Sequence, residues 1–127
     1  MLLPSTIISL VDEIRPNTVT TATKKGWLAR CDQTIYDQVI ARHFGADDLV
    51  PYKNETRQQD DPPEYLMIDD PYGTPIYEYY LISMIDQTNG DTARYNNDSI
   101  VYNAALQVWA KKWHREHMPI PGMRFRV

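Results

Sequence analysis

The sequence predicts a mainly α fold, a bundle of about four helices in which helices three and four form a long antiparallel hairpin, with one long acidic loop and an extended C-terminal tail or strand. Three observations carry this reading. From Asp91 to Met118 large side chains, Tyr95, Tyr102, Leu106, Trp109 and Trp113, recur at steps of three, four or seven, so they line one side of a helix of 3.6 residues per turn. Three earlier stretches repeat apolar residues at helical spacing. Asn89-Gly90-Asp91 joins the third of these to the Asp91–Met118 helix by a turn so tight that the two must be antiparallel neighbours.

Helix one follows Pro4-Ser5-Thr6, carries Ile7, Ile8, Leu10, Val11 and Ile14, and ends near Arg15, because a proline at 16 disfavours helical geometry in the residue before it. Helix two starts between Thr18 and Lys24 and runs to about His43, with Leu28, Cys31, Ile35 and Val39 on one face, Trp27 and Tyr36 beside them, and Phe44-Gly45 closing it. Gly26 in its interior either allows a close helix crossing or marks a late start. Cys31 lies on the apolar face and reads as a small core residue, since no neighbouring motif would activate its thiol.

From Ala46 to Asp70 the periodicity vanishes, and Gln58-Gln59-Asp60-Asp61-Pro62-Pro63 is the most hydrophilic part. A connection this long inside a small domain is uncommon unless it has a role, so its tip is a candidate contact element. Glu64-Tyr65-Leu66-Met67-Ile68 reads as a short strand anchoring its far end. Helix three begins through Asp70-Pro71 or through Thr74-Pro75, where a proline in the first turn loses no hydrogen bond. It runs through Ile76, Tyr77, Tyr80, Leu81, Met84 and Ile85 to about Asn89. Tyr77 and Tyr80 read as core, and Tyr79, on another side, as an interface residue.

Helix four is marked chemically at both ends. Asp91 can accept hydrogen bonds from the first-turn amides, Gly90 supplies the left-handed residue that ends helix three, and Pro119 follows the last turn. The tail alternates Met123, Phe125 and Val127 with Arg124 and Arg126, a strand pattern that either pairs within the chain or adds to a neighbour's sheet edge. The chain therefore divides into a helical domain over 1–118, with the acidic loop 46–70 inserted, and an extended tail over 119–127.

At 127 residues, 43% hydrophobic and 24% charged, the chain has the length and composition of one globular domain. No apolar run approaches the roughly 20 residues that cross a bilayer. The opening Met1-Leu2-Leu3-Pro4 lacks the pattern of a signal peptide and the single cysteine forms no internal disulfide, so a reducing interior is the expected place of folding. Charge is asymmetric. Residues 47–70 hold Asp47, Asp48, Glu55, Asp60, Asp61, Glu64, Asp69 and Asp70 against Lys53 and Arg57, whereas Lys111, Lys112, Arg115, Arg124 and Arg126 dominate the end of the chain. The two faces are either solvated surface or complementary surfaces between copies or partners, where charge sets register and raised salt weakens assembly.

Catalytic signatures are absent. There is no glycine-rich phosphate loop, no Cys-x-x-Cys pair and no Gly-x-Ser-x-Gly elbow. His114 and His117, with Glu116 nearby and His43 elsewhere, are too sparse for a metal ligand set. The acid pairs Asp47-Asp48, Asp60-Asp61 and Asp69-Asp70 have no basic partner beside them, and Tyr72, Tyr77, Tyr79 and Tyr80 lack the basic groove that base stacking needs. No catalytic residue, cofactor or metal is expected.

The run Pro71-Tyr72, Ile76-Tyr77-Glu78-Tyr79-Tyr80-Leu81, Asn89-Gly90-Asp91, Arg94-Tyr95-Asn96-Asn97-Asp98 and Tyr102-Asn103-Ala104-Ala105 resembles the small helical head-tail connector (adaptor) proteins of tailed bacteriophages and prophages. The likeness extends back to Val11-Asp12-Glu13, Arg15-Pro16-Asn17 and Trp27-Leu28, leaving the acidic loop and the tail outside it. The resemblance implies a structural subunit without cofactor, located at the neck of the virion and made in the host cytoplasm. It implies a homo-oligomeric ring, about twelve-fold, that binds the portal protein and other neck or tail-completion proteins. DNA passes through such a ring without sequence-specific binding, and no membrane is involved. By the same likeness Met123, Arg124, Phe125, Arg126 and Val127 contact the portal or an adjacent subunit, while Asp60 and Asp61 face the channel or the next tail component. Tyr79 is a further interface candidate. An acidic lining would repel DNA phosphates and let the genome slide. The alternative from the residues alone is a small monomeric phage-encoded regulatory or inhibitor protein that uses the acidic loop as a nucleic-acid mimic.

Overall fold

The computed structural model describes residues 2–40, 49–53 and 64–116, and within them the fold is all-helical: α1 (Pro4–Ile14), α2 (Thr21–Gln38), α3 (Gly73–Thr88) and α4 (Thr92–Glu116). Helix α3 is central. It packs against each of the other three, and α3 and α4 form the antiparallel hairpin that the tight turn requires. Ile76, Tyr77, Leu81, Ile82 and Ile85 of α3 meet Ile7, Ile8 and Val11 of α1, Leu28, Cys31 and Ile35 of α2, and Trp109 and Trp113 of α4 in one apolar core.

Local chemistry sets each boundary. Pro4 occupies the first turn of α1, where its missing amide does no harm; no side chain caps this helix, whose N-cap is Leu3. Asn17 organises the following connection, donating to Asp12 Oδ1 at 3.0 Å and Arg15 O at 2.9 Å and accepting from Val19 N at 3.0 Å. Thr20 caps α2 by accepting from Thr23 N at 3.2 Å. Helix α2 therefore starts before Gly26, which excludes the late start, and it stops at Gln38, short of His43. Ile40 is fully buried just beyond that end and belongs to the core. Gly90, at φ 76°, ends the α3 turn, and Asp91 Oδ1 caps α4 by accepting from Arg94 N at 3.1 Å.

The segment expected as a strand, Glu64 to Ile68, is irregular and bends at Met67 and Ile68, and no strand forms among the described residues. Its amides find other partners. Leu66 N donates to Leu2 O at 2.8 Å, Met67 N to Asp32 Oδ2 at 3.0 Å and Ile68 N to the Tyr77 hydroxyl at 3.0 Å. Nor are the described ends of the acidic loop solvated throughout: Tyr52, Leu66, Met67 and Ile68 are core residues. The expected helix end at Phe44-Gly45, the hydrophilic tip from Gln58 to Pro63, the last turn of helix four at Met118, and the tail lie outside the described residues.

Gly73, the first residue of α3, touches that segment. A Cβ there would stand 2.2 Å from Ile68 O, a backbone atom with nowhere to go. Gly73→Ala should therefore destabilise the protein by about 1–3 kcal/mol, as overpacking does. A urea transition of Gly73→Ala coinciding with that of the parent would show that the segment yields.

Candidate functional site

Two kinds of feature stand out once the helices are placed: a buried polar node that fastens the loop ends, and an outer face of α4 that no described element covers.

The node is built on Asp32, which sits on the apolar face of α2 between Leu28 and Ile35 and is fully buried. One carboxylate oxygen, Oδ2, accepts from Tyr52 N and Met67 N, each at 3.0 Å, and the other accepts from the Tyr77 hydroxyl, which in turn accepts from Ile68 N. Burial pushes the Asp32 carboxyl up, against the pull of these three donors. The same burial, with the Asp32 charge beside it, holds the Tyr77 hydroxyl well above its ordinary range, so it remains a donor. Every polar atom here has a partner, which makes the node a fastener between α2, α3 and both ends of the loop.

Cys31 is buried next to Asp32, with its sulfur 3.7 Å from the Tyr102 hydroxyl of α4. Burial raises its thiol far out of the nucleophilic range, in agreement with a core role. Of the tyrosine cluster, Tyr77 belongs to the node and Tyr80 packs on Tyr102 with ring centroids 5.5 Å apart. Tyr72 lies under the Lys112 ammonium, 4.9 Å from its ring centre.

Helix α4, at about 37 Å, is longer than α3, at about 24 Å, and of the described helices it packs its backbone only against α3. Its inward side is the one the sequence marks: Trp109 and Trp113 are buried and stack at 5.8 Å, while Tyr102 and Leu106 are half-buried. Its opposite side presents Ile100, Val101 and Val108 at 67, 41 and 58% exposure, with exposed Ala104 between them. Steps of four from Ile100 through Ala104 to Val108 put them in one row along the helix.

Of the interface candidates read from sequence, Tyr79 is half-buried on α3. Asp60, Asp61, Met123, Arg124, Phe125, Arg126 and Val127 lie outside the described residues, as do Asp47, Asp48, His43 and His117. Of the acid pairs, Asp69-Asp70 is exposed, and Asp70 accepts hydrogen bonds from the Thr74 amide and hydroxyl at the start of α3. Among the described residues no group of three His, Cys, Asp or Glu side chains is placed to hold a metal ion, and no helix is long and apolar enough to cross a membrane. A cleft of about 170 Å³ beside Leu49, Asp69, Trp109, Lys112, Trp113 and Glu116 offers aromatic rings and one ion pair, Lys112 to Glu116 at 3.6 Å. It contains no nucleophile.

Sequence reasoning did not single out Asp32 or the outer row of α4. Both had a signal in the periodicity: Asp32 is an acid at a core position of α2, and Ile100, Ala104 and Val108 repeat on the face opposite the tryptophans. Comparison with protein-family models, with characterised proteins and with solved structures gives no match.

Proposed function

We propose that the chain is a structural, non-enzymatic head-tail connector subunit of a tailed phage, assembled as a ring beneath the portal and joining capsid to tail around the DNA channel. The observation that carries this reading is the outer row of α4. Three large apolar side chains spaced along one face of a helix gain nothing from water, and together they suit burial against another protein. A ring subunit requires such a lateral surface on a rigid element, because the same contact must repeat with a fixed rotation to close. The buried node suits the same purpose, since it ties the loop ends to the helices. The resemblance of the α3–α4 hairpin sequence to connector proteins supports the reading independently of the packing.

Light scattering of the purified protein, alone and mixed with a portal ring, tests it. A mass of many subunits, or binding to the portal, is expected. The double substitution Ile100→Glu with Val108→Glu should abolish that assembly and leave the circular dichroism and melting of the subunit unchanged, because both positions are solvated in the monomer. Assembly that survives the substitutions would remove α4 from the contact. A parent protein that remains monomeric and ignores the portal would favour the regulatory reading through the acidic loop.

A further inference from the structure

We propose that Asp86 of α3 and Asp98 of α4 hold one proton between them, which makes the α3–α4 hairpin a pH-sensitive joint that loosens when the proton leaves. Asp86 is 2% exposed and Asp98 8%, and the two carboxyl groups meet within hydrogen-bonding reach across the helix pair. Neither Asp86 Oδ2 nor Asp98 Oδ2 receives a hydrogen bond from any protein donor. Buried oxygens without a donor are costly, and two adjacent carboxylates are more so. A proton on Asp98, donated to Asp86, gives the pair the donor it lacks.

The charged groups facing the pair are few. Arg15, just past the end of α1, brings its Nε to 3.5 Å from Asp86 Oδ1, and that Nε makes no hydrogen bond. Arg94, on α4, is bridged to Asp91 at 3.3 Å. One close cation between two carboxylates leaves a net negative charge in a buried site. Burial first, then the hydrogen bond and charge of Asp86, push the Asp98 carboxyl up to about 7, while Arg15 and Arg94 pull less strongly the other way. In the unfolded chain an aspartate titrates near 3.8. The folded state therefore keeps its proton to higher pH than the unfolded state, so stability is fully present below about 4, falls as pH rises to about 7, and stays low above it. On deprotonation the proton passes to water and leaves two buried carboxylates facing one arginine.

The test compares urea midpoints of the full chain and of Asp98→Asn at pH 5 and pH 8, at one protein concentration. Asparagine keeps a donor for Asp86 and cannot ionise. The variant is expected to have the higher midpoint at pH 8, and the gap should shrink at pH 5. The other titratable groups are common to both proteins and cancel in the difference. A gap that does not change with pH would overturn the proposal. Should the variant fail to fold, the carboxyl ¹³C titration of the parent protein decides: one aspartate with a midpoint near 7 is expected, and a protein whose described aspartates all titrate below about 5 refutes it.

Discussion

Replacing Asp32 by alanine is expected to destabilise the fold by on the order of 3–5 kcal/mol, read as a lower urea midpoint at unchanged slope. The substitution strands three donors in the interior: the amides of Tyr52 and Met67 and the hydroxyl of Tyr77. Each unpaired buried donor costs about 1–3 kcal/mol, and water entering the space left behind keeps the total below the simple sum. Asp32→Asn should be milder, about 1–3 kcal/mol, because one amide oxygen can still accept from Tyr52 and Met67 while only the Tyr77 proton loses its acceptor. The order alanine, then asparagine, then parent is the signature of a hydrogen-bonded node. If Asp32→Ala instead fell within about 0.5 kcal/mol of the parent, the node would contribute nothing.

The second large effect is at Trp109. Its ring is 6% exposed and stacks on Trp113 beside a cleft that Met67 and Ile68 also line, so Trp109→Ala should cost about 3–5 kcal/mol through lost burial and the cavity that remains. Val108, one residue earlier, is 58% exposed, and Val108→Ala should change stability by less than about 0.5 kcal/mol. The pair of measurements separates the two faces of α4. Equal losses at both positions would mean that the outer row is buried in the protein as it exists in solution, and stability would then depend on protein concentration.

The helices were legible because their signals are local. Pro16 stops α1, Gly90 and Asp91 mark the turn, and Trp109 and Trp113 repeat at helical spacing, so neighbours in sequence decide each of them. The strand expected at Glu64 to Ile68 failed for the opposite reason. A short apolar run shows that a segment is buried, but whether its amides meet a second strand or a side chain depends on residues far away, here Asp32 and Tyr77. The end of α2 was missed similarly: α2 stops at Gln38, and the burial of Ile40 just beyond it depends on a core that its neighbours do not reveal. Composition also misled. Acids dominate the loop and hide its part in the core, yet four of its described residues, Tyr52, Leu66, Met67 and Ile68, are buried. The charged residues that matter most, Asp32, Asp86 and Asp98, are those whose helical position disagrees with their polarity, a conflict visible in the sequence only when every acid is placed on its wheel.

The span of the Asp32 node along the chain has a kinetic consequence. Its hydrogen bonds join residues 20, 35 and 45 positions apart, whereas the α3–α4 hairpin is formed by consecutive elements. Contacts that close long loops carry more entropy cost and form after local ones have been made. The hairpin should therefore assemble early and the node close late, so that Asp32→Ala accelerates unfolding while leaving the folding rate nearly as it was. Seen in time, the node acts as a latch on the folded state: it does little to guide the chain there, and it governs how long the chain stays.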